Sequence, residues 1–221
     1  MRMLRRLWWT LSLPLVMCGC IQSPQPQPVS FHDDGRTKPL VALPPLFDRS
    51  EAGVEWSLSE EFTTHIRSNI MKNFCLNTTD EMNLIVTHLN ETHNPFSSDT
   101  EWIKSAFGRY EFVVFTELVE YDIHPQTSRG SFINKIVPSS ELTLTMRIRI
   151  FDLRAQRTQV ILQELFHQNY LIPSFSHSGS AHPYQWRRLS FLVSPLGLAH
   201  SQFIKGVSNR IEEYVFWAKN R

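Results

Sequence analysis

The stretch SELTLTMRIRIFDL (residues 140–153) decides the fold, because it carries the strongest structural pattern in the sequence. Apolar and other side chains alternate there with a period of two. One set comprises Leu142, Leu144, Met146, Ile148 and Ile150, and the other comprises Thr143, Thr145, Arg147, Arg149 and Phe151. This alternation predicts a β-strand with one face buried and the other largely solvated.

Neighbouring segments supply the other strands of a sheet. A polar turn leads from the first stretch to TQVILQELFHQNYLI (158–172), which we expect to be its antiparallel partner. Before it, RYEFVVFTELVEYDI (109–123) predicts a long strand, and its apolar centre (112–115) indicates a strand covered on both faces. The shorter runs VALPPLF (41–47) and MNLIVTHL (82–89) predict a first and a second strand.

Two helices are predicted between these strands, over residues 57–73 and 97–109. Each begins with a capping-box pair, in which a Ser precedes a Glu by three positions. The pairs are Ser57 with Glu60 and Ser98 with Glu101. Gly108 is a plausible stop for the second helix.

The C-terminal region predicts a long helix. Ser194 can cap it, and Pro195 suits its first position. An apolar stripe then follows at Leu196, Ala199, Phe203, Val207, Ile211, Tyr214 and Ala218. A shorter helix is predicted at 183–192. Together these elements predict an α/β (α+β-like) single domain: a mixed sheet of about five strands with antiparallel hairpins, helices packed on it and a long C-terminal helix.

The N-terminal stretch MRMLRRLWWTLSLPLVMCGC (1–20) is a targeting segment by its pattern. Three arginines precede an apolar run of eleven residues (7–17), which is shorter than the about 20 residues that a spanning helix needs. Its end resembles the lipobox of bacterial lipoproteins, with Met17 and Cys18 at the less usual positions. The resemblance implies that residues 1–19 are removed and that Cys20 is acylated. Cys18 is the weaker candidate, because the residue before it, Met17, is bulky.

An acylated Cys20 would anchor the protein to a bilayer without a spanning helix. Residues 20–38 then form a tether rich in Pro and Gln, and residues 39–221 form the one globular domain. By the same resemblance, Ile21 after the cysteine favours the outer membrane, with the domain facing the periplasm.

The charge of the chain argues against a nucleic-acid partner, and its cysteine content argues against a disulfide. The chain has 22 Lys and Arg against 21 Asp and Glu, and removal of residues 1–19 leaves 19 basic against 21 acidic residues. This near balance gives no electrostatic footprint for nucleic acid. Beside the lipidated Cys20, the mature chain retains one cysteine, Cys75, so it can form no intramolecular disulfide, and Cys75 is expected in the core.

The nine histidines form no motif of known chemistry. His88 and His93 are five apart, as are His177 and His182, and neither pair has the spacing of a zinc site. We therefore expect a protein that is not an enzyme and that has no cofactor, metal or small-molecule substrate. A hydrolase that uses His177 or His182 in the loop 173–182 is a further alternative, because loops often carry function.

The aromatic residues are expected mainly in the core. Trp186, Arg187 and Arg188 nevertheless form a triple of the residue types that dominate binding interfaces. We predict this triple and the connection 124–138 as contact surfaces for a partner.

The order of elements adds a resemblance. VALPPLF, RYEFVVFTELVEYDIHP and LTLTMRIRIFDLRAQRTQVI together resemble the domain shared by envelope accessory lipoproteins: the penicillin-binding-protein activator lipoprotein, the curli secretion lipoprotein and the N-terminal domain of TolB. The whole chain is also similar to uncharacterised lipoproteins of chlamydiae. It departs from the shared pattern at Thr116 and in the turn RAQRT, where glycine is common.

The resemblance implies a lipid-anchored envelope protein that binds another envelope protein and does no chemistry. A structural oligomer, as in the curli secretion pore, is the alternative. That pore needs long amphipathic hairpins in the bilayer, and 124–138 is the nearest insertion of such a size.

Overall fold

The computed structural model describes residues 29–88, 93–125, 139–173 and 185–221. The strands in these ranges are β1 (Leu40–Ala42), β2 (Phe47–Asp48), β3 (Cys75–Leu76), β4 (Phe112–Pro125), β5 (Ser139–Asp152) and β6 (Gln159–Pro173). The helices are α1 (Leu58–Ile70), α2 (Thr79–His88), α3 (Glu101–Phe107), α4 (Leu189–Leu192) and α5 (Pro195–Lys219). A 3-10 turn at Gln185–Arg187 precedes α4.

The strands form one mixed sheet in the order β3-β1-β4-β5-β6, and β2 pairs separately with β4. The pairings of β1 with β3 and β4, and of β2 with β4, are parallel. The long central strand β5 is antiparallel to both of its neighbours, β4 and β6. The sheet, its helices and the long α5 confirm the predicted mixed α+β domain.

Strand β5 separates two apolar layers. Its set from Leu142 to Ile150 is fully buried against α1 and α5, as predicted. The opposite face is only partly solvated: Thr143, Thr145 and Arg147 are half-buried, whereas Arg149 and Phe151 are buried. Phe151 packs into a second cluster with side chains of α2 and α3. The prediction of a largely solvated second face is therefore wrong at the end of β5 that α3 covers.

The prediction of a strand at 82–89 is wrong, because the described part of this run, 82–88, lies in helix α2. Met82 is buried and Ile85 packs on the same cluster, a spacing of three that suits a helix. The side chain of Thr78 accepts a hydrogen bond from the backbone N–H of Glu81, so a capping pair starts the helix. A short apolar run does not distinguish a strand from a helix, whereas the capping pair Thr78 and Glu81 indicates a helix.

Two further boundaries differ from prediction. The run 41–47 divides into β1 and β2, because Pro44 and Pro45 carry no N–H for a sheet ladder. Helix α3 begins at Glu101 rather than near residue 97, with Thr100 as a cap residue whose side chain makes no capping bond. Ser98 therefore does not cap it. The turn before α3 is held instead by Asn94, whose side chain accepts from the N–H of Phe96.

Residues 29–38, which were predicted as tether, belong to the folded part. Phe31 and Thr37 pair in an antiparallel bridge, and the N–H of Lys38 donates to the carbonyl of Ser30. The ring of His32 lies 5.9 Å from that of Phe216 near the end of α5. The tether therefore joins the domain beside the C-terminal end of α5. We call this the tether end and the opposite end of α5 the distal end.

Helices α1 and α5 run side by side in the same direction. Glu61 contacts His200 near their N-termini, and Asn69 donates to Ser208 further along. Ser57 and Ser194 cap the two helices as predicted. At 1.5 Å per residue, the 25 residues of α5 separate the two ends by roughly 37 Å. No helix within the described ranges combines the length and the hydropathy that crossing a bilayer would require.

Candidate functional site

A buried polar network lies at the distal end, between the N-terminal turns of α1 and α5. Nδ1 of His200 is 2.8 Å from Oε1 of Glu61, and Nε2 of His200 is 3.2 Å from the hydroxyl of Tyr121 on β4. Trp56, just before α1, donates from its indole N–H to the other oxygen of Glu61 at 2.6 Å. Glu61 is 1% exposed and His200 is 2% exposed. Four segments of the chain thus meet in one hydrogen-bonded group.

The electrostatics of the network follow from its burial. Desolvation, and then the negative charge of Glu61, raise the pKa of Tyr121 far above its usual value. Tyr121 is therefore a phenol at neutral pH. In the arrangement that satisfies every atom, Nδ1–H of His200 donates to Glu61, and Nε2 accepts from Tyr121 when the imidazole is neutral. When the imidazole is protonated, Nε2–H donates to the phenol oxygen instead.

Aromatic rings enclose the imidazole of His200. The rings of Phe62, Phe191 and Tyr121 lie 5.1, 5.7 and 5.5 Å from it, each close to edge-on. A Glu–His–Tyr series could relay a proton in an open site, but here the imidazole and the carboxylate are sealed from solvent. The network therefore fixes the N-terminal ends of α1 and α5 against β4.

A shallow groove of about 500 Å³ lies beside the network. Residues 50–54 form one wall, and residues 119–123, where β4 has a register irregularity, form the other. Tyr121 is the network residue that reaches the groove. The backbone of Glu51 has a positive φ of 52°, which residues other than glycine rarely adopt. The groove wall thus carries a strained position next to the buried hydrogen bonds.

The distal end also carries an exposed apolar group, which we call the distal surface: Leu189, Leu192, Val193 and Leu198. Their exposed fractions lie between 36% and 74%. The junction of α4 and α5 holds them in place, because Ser194 accepts from the N–H of Gly197 and donates to the carbonyl of Phe191. A Cβ at Gly197 would collide with that carbonyl. The tight contact needs glycine and makes the junction rigid.

The predicted contact triple lies next to this surface. Trp186 is only 3% exposed and packs on the ring of His65 at 5.7 Å, so its side chain lies in the core rather than at the surface. Arg187 stacks over the Trp186 ring at 4.6 Å and forms an ion pair with Glu60 of α1. Arg188 is exposed at the start of α4. The two arginines reach the surface, and contact with a partner stays a prediction.

The remaining residues singled out from the sequence are cysteines, histidines and the connection before β5. Cys20, residues 126–138, His177 and His182 lie outside the described residues. Cys75 is buried in β3, and desolvation raises the pKa of its thiol, as suits a core position. The ring of His93 lies 5.1 Å from that of Trp102. Within the described ranges, no group of three metal-binding side chains comes together.

The sequence contains a signal for this network that periodicity alone does not reveal. His200 lies three residues before Phe203, so it falls on the apolar stripe of α5. Glu61 stands next to Phe62 on the buried side of α1. A titratable residue within an apolar stripe must find a partner when it is buried. Two such stripes on neighbouring helices indicate where that partner lies.

These features define a single-domain α+β protein in which two parallel helices cover one face of a mixed sheet. The buried polar network and the distal surface lie at the same end of these helices. The chain belongs to the family of unknown function DUF7499, whose model matches residues 27–219. A search of curated proteins found no match.

Three solved structures resemble this chain to different degrees. A hypothetical protein from Chlamydia trachomatis, CT253, superposes with a TM-score of 0.59 at 24% identity, over 80% of this chain and 98% of that one. Lipoprotein GNA1162 from Neisseria meningitidis gives a TM-score of 0.42 at 13% identity, over 77% and 99%. The LpoB C-terminal domain from Salmonella enterica gives 0.32 at 12%, over 59% and 82%. The first shares the fold; the other two are distant likenesses.

Proposed function

We propose that the protein is a lipid-anchored lipoprotein of the bacterial envelope, facing the periplasm from the outer membrane. Its domain binds another envelope protein through the distal surface and catalyses no reaction. One observation carries the proposal: four large apolar side chains are exposed together on a rigid junction. The anchor rests on the lipobox that ends at Cys20.

The composition of the distal surface suits a protein partner. Contiguous exposed apolar side chains in a water-soluble domain commonly mark an interaction site. Arg187 and Arg188 stand beside Leu189 and supply the polar rim that such interfaces have. The ion pair with Glu60 and the stacking on Trp186 hold Arg187 before any partner arrives. A preorganised contact loses less conformational entropy on binding.

The position of the distal surface suits an anchored protein. The tether joins the domain at the other end of α5, roughly 37 Å away along the helix. An anchor at the tether end therefore leaves the distal surface free to meet proteins in the periplasm. The network of Glu61, His200 and Tyr121 makes this end rigid, which favours binding without large rearrangement.

The anchor is tested by metabolic labelling with a palmitate analogue. Wild-type protein should carry the label and sediment with membranes. Cys20→Ala should lose the label and accumulate as the unprocessed precursor. An unlabelled wild-type protein, or a label that persists in Cys20→Ala, would overturn the anchor.

Binding of a partner is tested by site-specific photo-cross-linking of the full chain in its own cells. A photoreactive amino acid at Leu189 or Val193 should yield one discrete adduct with an envelope protein. The matched control is Leu165 on β6, which is similarly exposed but lies away from the distal end. Equal adducts from all three positions, or none from the distal pair, would contradict the proposal.

A structural oligomer is the second candidate, and one observation favours it. In the described residues, β6 is the last strand of the sheet, is 15 residues long and exposes Leu165 and Leu171. An open edge of this length can pair with a second copy. Sizing of the purified protein in detergent separates the two candidates, because the binding module should be monomeric.

A hydrolase that uses His177 or His182 makes a different prediction. Replacing both residues by alanine should leave the phenotype of the protein unchanged if it acts by binding alone. A loss of function in that double variant, with normal expression and normal cross-links from Leu189, would favour chemistry over binding.

A further inference from the structure

The tether end carries a second exposed apolar group, which we call the tether-end surface: Val29, Phe31, Met71 and Trp217. Their exposed fractions lie between 54% and 67%. Three segments contribute: the bridged turn 29–38, the end of α1 and the last turn of α5. Between these segments, Phe216 packs on Phe74 at 5.5 Å and on His32 at 5.9 Å between ring centres. These ring contacts join the three segments.

Charges around this surface are largely neutralised in pairs. Arg36 pairs with Asp34 at 2.6 Å, and Lys219 pairs with Glu111. Lys72 and Arg221 are exposed, and the guanidinium of Arg221 lies 3.5 Å from the centre of the Trp217 ring. Asp33 is an exposed acid at the same end. Attraction to an anionic partner is thus weak here, and the apolar and aromatic side chains dominate.

The position of Cys20 limits how far this end can lie from a bilayer. Nine residue steps separate Cys20 from Val29. A fully extended chain spans at most about 3.6 Å per residue, so the domain begins within about 32 Å of an acylated Cys20. The tether-end surface is the part of the domain beside that attachment. The distal surface lies roughly 37 Å further along α5.

We infer that the tether-end surface rests on the lipid bilayer that holds the anchor, at the level of the headgroups. This inference rests on the proposed acylation of Cys20. Trp and other aromatic side chains favour the interface between membrane and water, and basic side chains reach from there to the headgroups. Trp217 with Arg221 stacked on it is such a combination. Weak contacts suffice, because the anchor already keeps the surface at high local concentration.

The consequence is a fixed orientation of the domain. With the tether end on the bilayer, α5 points away from the membrane and presents the distal surface to the periplasm. A domain that swung freely on its tether would offer the distal surface in every direction. The bilayer contact would thus determine which partners the distal surface can reach.

The test uses the full, acylated protein in vesicles of phosphatidylethanolamine and phosphatidylglycerol whose acyl chains are brominated, because bromine quenches tryptophan emission at the interface. Wild type should lose emission relative to vesicles without bromine. Trp217→Phe should show little of this loss. The control Leu189→Trp in the Trp217→Phe background places an exposed tryptophan at the distal end, and its emission should stay unquenched. Met71→Asp should reduce the quenching of Trp217.

The outcomes separate this inference from the proposed function. Flotation of the wild-type protein with vesicles, and its loss in a Cys20→Ala protein without residues 1–19, tests the anchor alone. If flotation fails, both the anchor and the bilayer contact are overturned. If the protein floats but Trp217→Phe is quenched as much as wild type, or Leu189→Trp is quenched, the bilayer contact is overturned and the anchor stands.

Discussion

The two ends of the α1 and α5 pair are held in different ways. At the distal end, Glu61 and His200 form buried hydrogen bonds that also include Tyr121 and Trp56. At the tether end, the rings of Phe74 and His32 pack on Phe216. The last turn of α5 is also held by partly exposed polar contacts, because Arg154 donates to the carbonyl of Ala218 and Lys219 pairs with Glu111. Breaking a buried hydrogen bond leaves its groups unsatisfied, whereas an exposed ion pair contributes little to stability. The two ends thus differ in burial: the distal network is sealed from solvent, and the polar contacts of the tether end are partly exposed.

The difference suits the two surfaces that we propose. A protein partner requires a matched shape, and the distal surface stands on the polar network and the tight junction at Gly197. A bilayer is fluid and requires no matched shape, so the tether-end surface needs only exposed apolar side chains at the end of the domain that faces it. The predictions below test how strongly the buried contacts stabilise the distal end.

The largest effect is expected from His200→Ala. The change leaves the carboxylate of Glu61 buried without its imidazole partner, and opens a cavity among Phe62, Phe191 and Tyr121. Breaking a buried pair in this way costs about 3–5 kcal/mol of unfolding free energy. Urea unfolding of the purified protein, followed by circular dichroism, measures the loss.

The matched control for that variant is Glu61→Gln. It keeps the size of the side chain, and its amide can still accept from Trp56 and pair with His200, so we expect a loss of about 1 kcal/mol. In the double variant, the buried charge is absent, and the total loss should be smaller than the sum of the two single losses. If the double variant instead loses the full sum of the two single losses, the charge of Glu61 does not contribute to the network.

A smaller effect is expected from Gly197→Ala. The added Cβ collides with the backbone carbonyl of Phe191, so the junction of α4 and α5 must shift. Overpacking of this kind costs about 1–3 kcal/mol, and the better helix propensity of alanine offsets about 1 kcal/mol at most. Thermal unfolding gives the stability, and cross-linking from Leu189 reports whether the distal surface still binds.

Gly53→Ala is the control for this glycine. No atom lies within 4 Å of a Cβ built at Gly53, so the substitution meets open space. We expect little change in stability or in cross-linking. An equal loss from both variants would show that the junction is not specially tight.

Much of the fold was predictable because its main elements are long. Strands β4, β5 and β6 and helices α1 and α5 each carry a pattern over many residues, and long patterns leave little ambiguity. Helix α2 was not predicted, because its apolar run is short and fits either period. The exposed positions of Leu189 and Val193 depend on how α4 packs on α5, which no local pattern specifies.

The network was harder to predict than the fold. Glu61 and His200 are 139 residues apart, and each lies on an apolar stripe. Periodicity places both side chains inside the protein but does not say which polar group each will meet. That depends on the parallel alignment of α1 and α5, which forms only in the folded chain. Trp186 shows the opposite error of prediction. Tryptophan is common at binding interfaces, but this side chain is buried beneath Arg187.

The smallest effect concerns His65, which packs on Trp186 at the distal end. Desolvation is the main effect that lowers the pKa of His65. The charge of Glu61 raises this pKa and that of His200 lowers it, each by less. The folded protein thus binds a proton at His65 less readily than the unfolded chain, whose histidines titrate near pH 6.5. As the pH falls through that region, the unfolded state gains protons first, and the stability contribution of a neutral His65 is lost. Above about pH 7.5 both states are neutral at His65, and this dependence disappears.

His65→Gln isolates this contribution, because glutamine keeps a polar side chain on the Trp186 ring but does not titrate. Urea midpoints of wild type and His65→Gln are compared between about pH 7.5 and pH 5.5. The wild type should lose more stability over this interval than the variant, while the two should run in parallel at higher pH. If both lose the same amount, the desolvation of His65 does not contribute to the stability of the distal end.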